Sequence, residues 1–202
     1  MDNDLTEGKK FLLQFATSNI HKVEEVKMIL EDYPITIEQI NAKTLEIQAD
    51  KVEDVAKTSV IYAVQERGVP MFVEDTGLFI DALSGFPGPY ASYIYKTIGR
   101  KGVLKLLCGV FNRSAEFRSV VAFCIPMMEP VFFLGTVFGK ISTDERGNHG
   151  FGFDSIFEPN FGKGKTFAEM ALNEKINFSH RAQSVKKFAE WYLKHYKPLK
   201  KL

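Results

Sequence analysis

Apolar residues in this chain gather into short runs that alternate with amphipathic stretches. The run FLLQFA (11–16) has the length and composition of a buried strand. In TSNIHKVEEVKMILEDYP (17–34) the period changes: Ile20, Val23, Val26, Ile29 and Leu30 fall near helical spacing. Ser18 or Asn19 is placed to cap that helix, and Tyr33-Pro34 to end it. ITIEQI (35–40) reads as a second strand, followed by the polar connection NAKTLEIQAD. A second helix is clearer, with Val52, Val55, Ala56, Ser59, Val60, Ala63 and Val64 on one face and Gly68 at its end. VPMFVED (69–75) is then a strand closing on two carboxylates before a turn at Thr76-Gly77. This alternation predicts an α/β sheet covered by helices.

Further along, SGFPGPYASY (84–93) is a rigid, irregular connection, and a broken helical stretch runs to about Cys108. FRSVVAFCIP and PVFFLGTVFGKIS form two long strands, expected to pair as a hairpin through Pro126–Pro130. GNHGFGFDSIF (147–157) has three readings from its residues alone: a nucleotide loop, a ring-lined slot, or a hydrophobic strand between tight turns. If it is extended, Phe151 and Phe153 share one face while Gly152 and Asp154 take the other. Thr166 and Glu169 have capping-box spacing. The last helix, beginning near Ser179, presents Ala182, Val185, Phe188, Ala189 and Tyr192 on one face. A polar tail (1–10), one domain (11–196) and a basic tail (197–202) account for the chain, without repeats or linkers.

Composition narrows the classes. At 202 residues, 45% hydrophobic and with 18 phenylalanines, the chain is expected to form one packed globule. Its 26 basic and 25 acidic residues leave a net charge of +1, which argues against a nonspecific binder of nucleic acid polymers. Cys108 and Cys124 lie among apolar residues without metal-spaced partners, so both are expected to be buried free thiols in a reducing compartment. A polar start and the lack of a bilayer-length apolar run predict a cytoplasmic protein without membrane attachment.

Candidate chemistry gathers where strands end. Asp75 is better placed for a cleft than its neighbour Glu74, because ligands of open α/β sheets bind at the carboxyl ends of strands. Glu46, in the polar connection, is a candidate second carboxylate on that edge; two carboxylates plus water suit Mg²⁺. Lys22 stands in the first turn of the first helix beside Thr17, Ser18 and Asn19. The helix dipole opposes a cation there, but a bound polyphosphate would welcome one. Lys175, Ser179, His180 and Arg181 cluster at the start of the last helix, where Ser179 is a cap. His180 and Arg181 there call for something anionic or carbonyl-rich nearby.

Four segments, TSNIHK, FVEDTGL with GFPGPYAS, GFGFDSIF, and TFAEM with EK and SHR, together resemble the inosine triphosphate pyrophosphatase family, the Ham1-like non-canonical purine NTP pyrophosphatases. The likeness runs from about residue 11 to about residue 192, with every segment in family order. It implies a two-lobed α/β fold with a long central mixed sheet flanked by helices and an active site in the cleft between lobes. It also implies Mg²⁺-dependent cleavage of ITP, dITP and XTP between the α- and β-phosphates, and a homodimer.

Carried over by residue, the resemblance implies that Thr17, Ser18, Asn19, Lys22 and Lys175 hold the phosphates. Glu46 and Asp75 would bind the metal, and Asp75 would serve the attacking water. Phe151, Gly152, Phe153, Asp154, Ser179, His180 and Arg181 would line the base. Leu45 stands where some relatives have proline, and Phe153 where some have tryptophan. A same-fold pyrophosphatase for modified pyrimidine or methylated nucleotides, and a nucleotide- or RNA-binding module without turnover, are the competing readings.

Overall fold

The computed structural model describes residues 10–41 and 47–196. Leu45, Glu46, residues 1–9 and residues 197–202 lie outside the described residues. Strand β1 (Phe11–Ala16) leads into helix α1 (Ile20–Ile29), then β2 (Ile35–Ile40), α2 (Val52–Arg67) and β3 (Met71–Ile80). A two-residue strand β4 (Pro87–Gly88) precedes α3 (Ala91–Thr97) and α4 (Gly99–Leu106). The long pair β5 (Ser114–Cys124) and β6 (Val131–Ile141) follows, then β7 (Phe157–Pro159), α5 (Leu172–Lys175) and α6 (His180–His195).

The strands form one mixed sheet in the order β2-β1-β3-β5-β6-β7, with β4 added on β3. β1 lies parallel between β2 and β3, whereas β3, β5, β6 and β7 are antiparallel neighbours. Phe11 to Ala16 pair in step with Ile35 to Ile40, and Met71 to Ile80 with Cys124 to Ala115. The expected hairpin is present, Ser114 facing Lys140 and Phe123 facing Val131.

Because β3, β5 and β6 are about twice as long as β1 and β2, they outrun the first part of the sheet and carry a second lobe. At the β1 end, α1 and α6 pack Val26, Val185 and Phe188 against Phe15, Phe72 and Phe123 on one face. On the other face, α2 lays Ala56, Val60 and Ala63 over Met71, Val73 and Val120. At the far end Leu78, Ile80, Phe117 and Ile141 meet α4 and the segment containing Phe153, Phe157 and Phe167. The expected face of α6 is buried throughout: Ala182, Val185, Phe188, Ala189 and Tyr192. No helix among the described residues is long and apolar enough to cross a membrane.

Three expectations change, and the conditional extended form of the aromatic segment is excluded. The turn at Thr76-Gly77 is absent, since β5 pairs both residues, with Ser119 and Arg118, and carries β3 on to Ile80. Ile20 is 52% exposed. An α-helix places it about 120° round from Val26, off the buried stripe. Cys108 is exposed and Cys124 buried; Leu107 takes the core position at the end of α4, and Gly109, at φ +74°, turns the chain in the open. Residues 147–153 are not extended, because Gly147, Gly150 and Gly152 have φ of +81°, +70° and +59° and fold the segment into turns.

α6 is seated by one close approach. A Cβ on Gly135 of β6 would fall 2.0 Å from the carbonyl oxygen of His180 and 2.7 Å from the amide of Ser184. Only glycine lets the first turn of α6 rest on the strand. That contact fixes where His180 and Arg181 begin.

Candidate active site

A cleft of about 580 Å³ opens where β1 ends and β3 continues between the lobes. On one wall, Asn19 caps α1 by accepting from the amide of His21 at 3.0 Å, and donates its own amide to Thr17 Oγ1 at 3.2 Å. This holds Thr17, Ser18 and Asn19 as the rim of a helix N-terminus, a place whose free amides favour anions. Lys22, one turn in, reaches across to β3. Its Nζ donates to the backbone carbonyl of Glu74 at 2.6 Å and lies 3.0 Å from Glu74 Oε2.

Asp75 is half-buried on the same cleft wall, and as strand neighbours it and Glu74 point to opposite sides of β3. Among the described residues no group of three or more His, Cys, Asp and Glu side chains is arranged to hold a metal. Asp75 offers the hard carboxylate oxygens that Mg²⁺ takes, and a magnesium site needs few of them because water and phosphate complete the shell. The donor chemistry fits; Glu46, the other candidate ligand, is outside the described residues.

Behind the cleft runs a buried chain of alternating charges. Glu74 pairs with Lys22 and, at 3.2 Å, with Arg181 Nε. Arg181 pairs with Glu25, Glu25 with Lys175 at 2.7 Å, and Lys175 with Asp154 at 2.7 Å. Asp154 Oδ2 then accepts from the amide of Phe151 at 2.9 Å. Three cations balance three carboxylates from the rim at the start of α1 to the aromatic loop. Isolated, each buried charge would be prohibitive; in alternation they satisfy one another.

The ionisation states follow. Burial alone would raise Glu25, but Arg181 and Lys175 outweigh it and hold its carboxyl at about 2. Burial likewise opposes the charge on Glu74; Arg181, Lys22 and hydrogen bonds from Ser119 and Thr76, each 2.6 Å long, keep it well below the usual carboxylate range. Lys175 and Arg181 are pushed up despite burial, by Asp154 and Glu25 for the first and by Glu74 and Glu25 for the second. His180 moves the other way. Burial, then the charges of Arg181 and Lys175, lower it far enough that its imidazole is neutral.

The other end of the cleft is aromatic. Phe151 lies on His21, ring centroids 5.3 Å apart and planes 17° from parallel, with Arg181 and Lys175 each 5.3 Å from its centroid. Phe153 is buried in the second lobe with its ring edge-on to Tyr95. Asp154 braces the turn between them through Phe151 and Lys175. His180 is stacked on Phe117 at 4.6 Å, and its Nδ1 makes no hydrogen bond among the described residues.

The cleft therefore unites Thr17, Ser18, Asn19, Lys22, Asp75, Phe151, Gly152, Phe153, Asp154, His180 and Arg181. It does not include Ser179, which is fully buried and caps α6 by accepting from Ala182 at 3.1 Å. Nor does it include Lys175, which borders a smaller cavity of about 320 Å³ behind Phe151 and spends its ammonium on Glu25 and Asp154. Sequence reasoning passed over Glu25 and gave Glu74 second place. It also passed over Tyr90, Tyr95 and Lys96, with which α3 closes the facing wall. Glu25 left a signal: it stands four residues before Ile29, on the apolar side of α1.

A family model described as the Ham1 family matches residues 13–191. The dITP/XTP pyrophosphatase of Methanopyrus kandleri is 48% identical over 178 residues, covering 88% of this chain and 94% of that protein. That of Thermococcus kodakarensis is 46% identical over 179 residues, covering 89% and 96%. Among solved structures, the Ham1 protein of Staphylococcus aureus superposes with a TM-score of 0.78 at 26% identity, covering 92% of this chain and all of that one. A HAM1 protein from Coxiella burnetii gives 0.79, also at 26% identity, covering 91% and 99%.

Proposed function

Since the chain belongs to the Ham1 family, we propose that it is a Mg²⁺-dependent nucleoside triphosphate pyrophosphatase acting on non-canonical purine nucleotides. ITP, dITP and XTP are its substrates, cut to the monophosphate and pyrophosphate. The observation that carries this reading is the polarity of one cleft: a helix N-terminus with Lys22 at one end, Phe151 and a neutral His180 at the other, and Asp75 between the lobes. A purine triphosphate has the same polarity.

In the reaction a water oxygen bonds to the α-phosphorus, and the bond from that phosphorus to the bridging oxygen breaks. The bonding electrons leave on pyrophosphate. Asp75 orients the water and takes up its proton, general-base work for which a cleft carboxylate is suited. Lys22 and the first amides of α1 hold the phosphate oxygens in line. Mg²⁺, held by Asp75 and Glu46, would supply Lewis-acid neutralisation of phosphoryl charge.

Base choice belongs to the aromatic end. Phe151 offers a stacking face, and an imidazole N–H of His180 suits the C6 oxygen of hypoxanthine or xanthine. The amino group of adenine would meet that donor with another donor, a mismatch that buried sites penalise strongly. The expected assembly is a homodimer, which a sizing measurement checks.

A panel of ITP, dITP, XTP, ATP, GTP and modified pyrimidine triphosphates, with and without Mg²⁺ and with phosphate and pyrophosphate measured separately, tests the reading. Pyrophosphate release from ITP, dITP and XTP only with metal is expected. Orthophosphate as the product, or tight ITP binding without turnover, refutes it. Faster turnover of a modified pyrimidine would move the substrate class.

A further inference from the structure

Glu74 stands next to the candidate catalytic acid, yet its side chain is wholly buried and turned away from solvent. Four groups from four elements converge on it. Thr76 of β3 and Ser119 of β5 donate to Oε1 at 2.6 Å each. Lys22 of α1 and Arg181 of α6 approach Oε2 at 3.0 and 3.2 Å. With its own proton on Glu74, Ser119 Oγ accepts from Ser184 Oγ at 2.8 Å, so strand and helix are braced around the same carboxylate. Arg181 Nη2 also donates to Thr76 Oγ1 at 3.1 Å.

One carboxylate thus grips the cation at the phosphate end and the cation beside Phe151. Of the three N–H donors of Lys22, one is spent on the Glu74 carbonyl, while the carboxylate lies at ion-pair distance, 3.0 Å, its Oε2 accepting no hydrogen bond among the described residues. The carbonyl bond and the ion pair together hold the ammonium against β3 at the cleft wall.

We propose that Glu74 is a positioning residue for the reaction: it fixes Lys22 and Arg181 at one separation, setting the spacing between the phosphate site and the base site. This rests on the pyrophosphatase reading. The role divides affinity from rate. A buried anion beside Lys22 weakens the attraction of the site for phosphate, so Glu74 costs ground-state binding while supplying alignment.

The test is Glu74→Gln, which keeps the size of the side chain and an oxygen for Ser119 and Thr76 but removes the charge. In a variant that melts cooperatively, kcat on ITP is expected to fall about 100-fold, the cost of an ångström-scale misplacement. Inhibition by pyrophosphate should be undiminished or stronger. The ratio of kcat/KM for ITP over ATP should also fall, because Arg181 loses one of its two carboxylates.

Kcat within threefold of wild type overturns the proposal. So does an unchanged ITP to ATP ratio, or pyrophosphate inhibition that weakens in step with kcat, the mark of a merely structural residue. If the glutamine variant does not fold, Glu74→Asp takes its place: the charge is kept but the shortened arm cannot hold both cations, so kcat and the ITP to ATP ratio should fall while pyrophosphate inhibition stays as in wild type. Wild-type turnover is the control for the underlying reading. Should wild type release no pyrophosphate from ITP, the function fails, and calorimetric binding of pyrophosphate and ITP judges Glu74 separately: stronger pyrophosphate binding with weaker ITP binding supports it, parallel loss refutes it.

Discussion

Glu25→Gln is the most informative stability perturbation, because Glu25 joins two buried cations that otherwise lie in different parts of the chain. Its oxygens pair with Lys175 and Arg181, and all three side chains are at most 3% exposed. A carboxyl whose pKa drops from the ordinary 4.5 to about 2 on folding contributes about 3 kcal/mol at neutral pH. An independent figure agrees in size: removing one partner of a buried ion pair costs about 3–5 kcal/mol, and glutamine, which keeps an acceptor, belongs at the lower end. For a chain of this length about 3 kcal/mol lowers Tm by about 6–12 °C.

The pH dependence has a definite sign. The folded pKa is depressed, so the contribution is complete above about pH 4.5 and is lost as pH falls toward 2. Urea unfolding of wild type and variant at pH 7 and pH 3, with matched ionic strength, measures both numbers. The gap between them should be about 3 kcal/mol at pH 7 and clearly smaller at pH 3. A gap below about 1 kcal/mol at pH 7, or one that is the same at both pH values, refutes the reasoning.

Three further outcomes follow from the site and its support. Asp75→Asn should cut kcat by about 10²–10⁴-fold, the range for loss of a general base, with Tm nearly unchanged; a near-wild-type rate removes Asp75 from the mechanism. Phe151→Ala should raise KM for ITP by about 5–150-fold if the ring stacks on the base, whereas Phe151→Trp should not, and equal KM values for all three proteins exclude the stacking role. Gly135→Ala places a methyl 2.0 Å from the His180 carbonyl, so about 1–3 kcal/mol of stability should be lost together with turnover, as α6 lifts from β6; full activity would show that the helix start need not sit on the strand.

The fold was legible wherever one face of an element is apolar. α2 buries Val52, Ala56, Ser59, Val60, Ala63 and Val64, and Gly68 ends it in the left-handed region with its amide on Val64. Periodicity and a C-terminal glycine suffice for such a helix. β3 was misjudged because Thr76-Gly77 is a local turn signal and its cancellation is non-local: the ten-residue ladder to β5 supplies the hydrogen bonds that a turn would otherwise provide. The aromatic loop stayed open between three readings for the opposite reason. Alternating Gly and Phe resembles a strand, but three glycines with positive φ cannot continue one, and their conformations are not written in composition.

The site was legible in its rim and not in its interior. Lys22, His180 and Arg181 drew attention because cations and donors at helix N-termini lack a local reason to be there, and that argument correctly called for an anion nearby. It looked to substrate alone. The structure supplies Glu74 to Lys22, and Glu25 and Glu74 to Arg181, separated in sequence by up to 156 positions. No motif spans such a distance, whereas a charged residue on an apolar helix face, as Glu25 is, signals that a buried counter-charge exists without saying where. The same logic accounts for Lys175, which pairs with Glu25 and Asp154 behind the cleft. With its ammonium between Glu25 and Asp154, it supports the turn in which Asp154 holds the amide of Phe151.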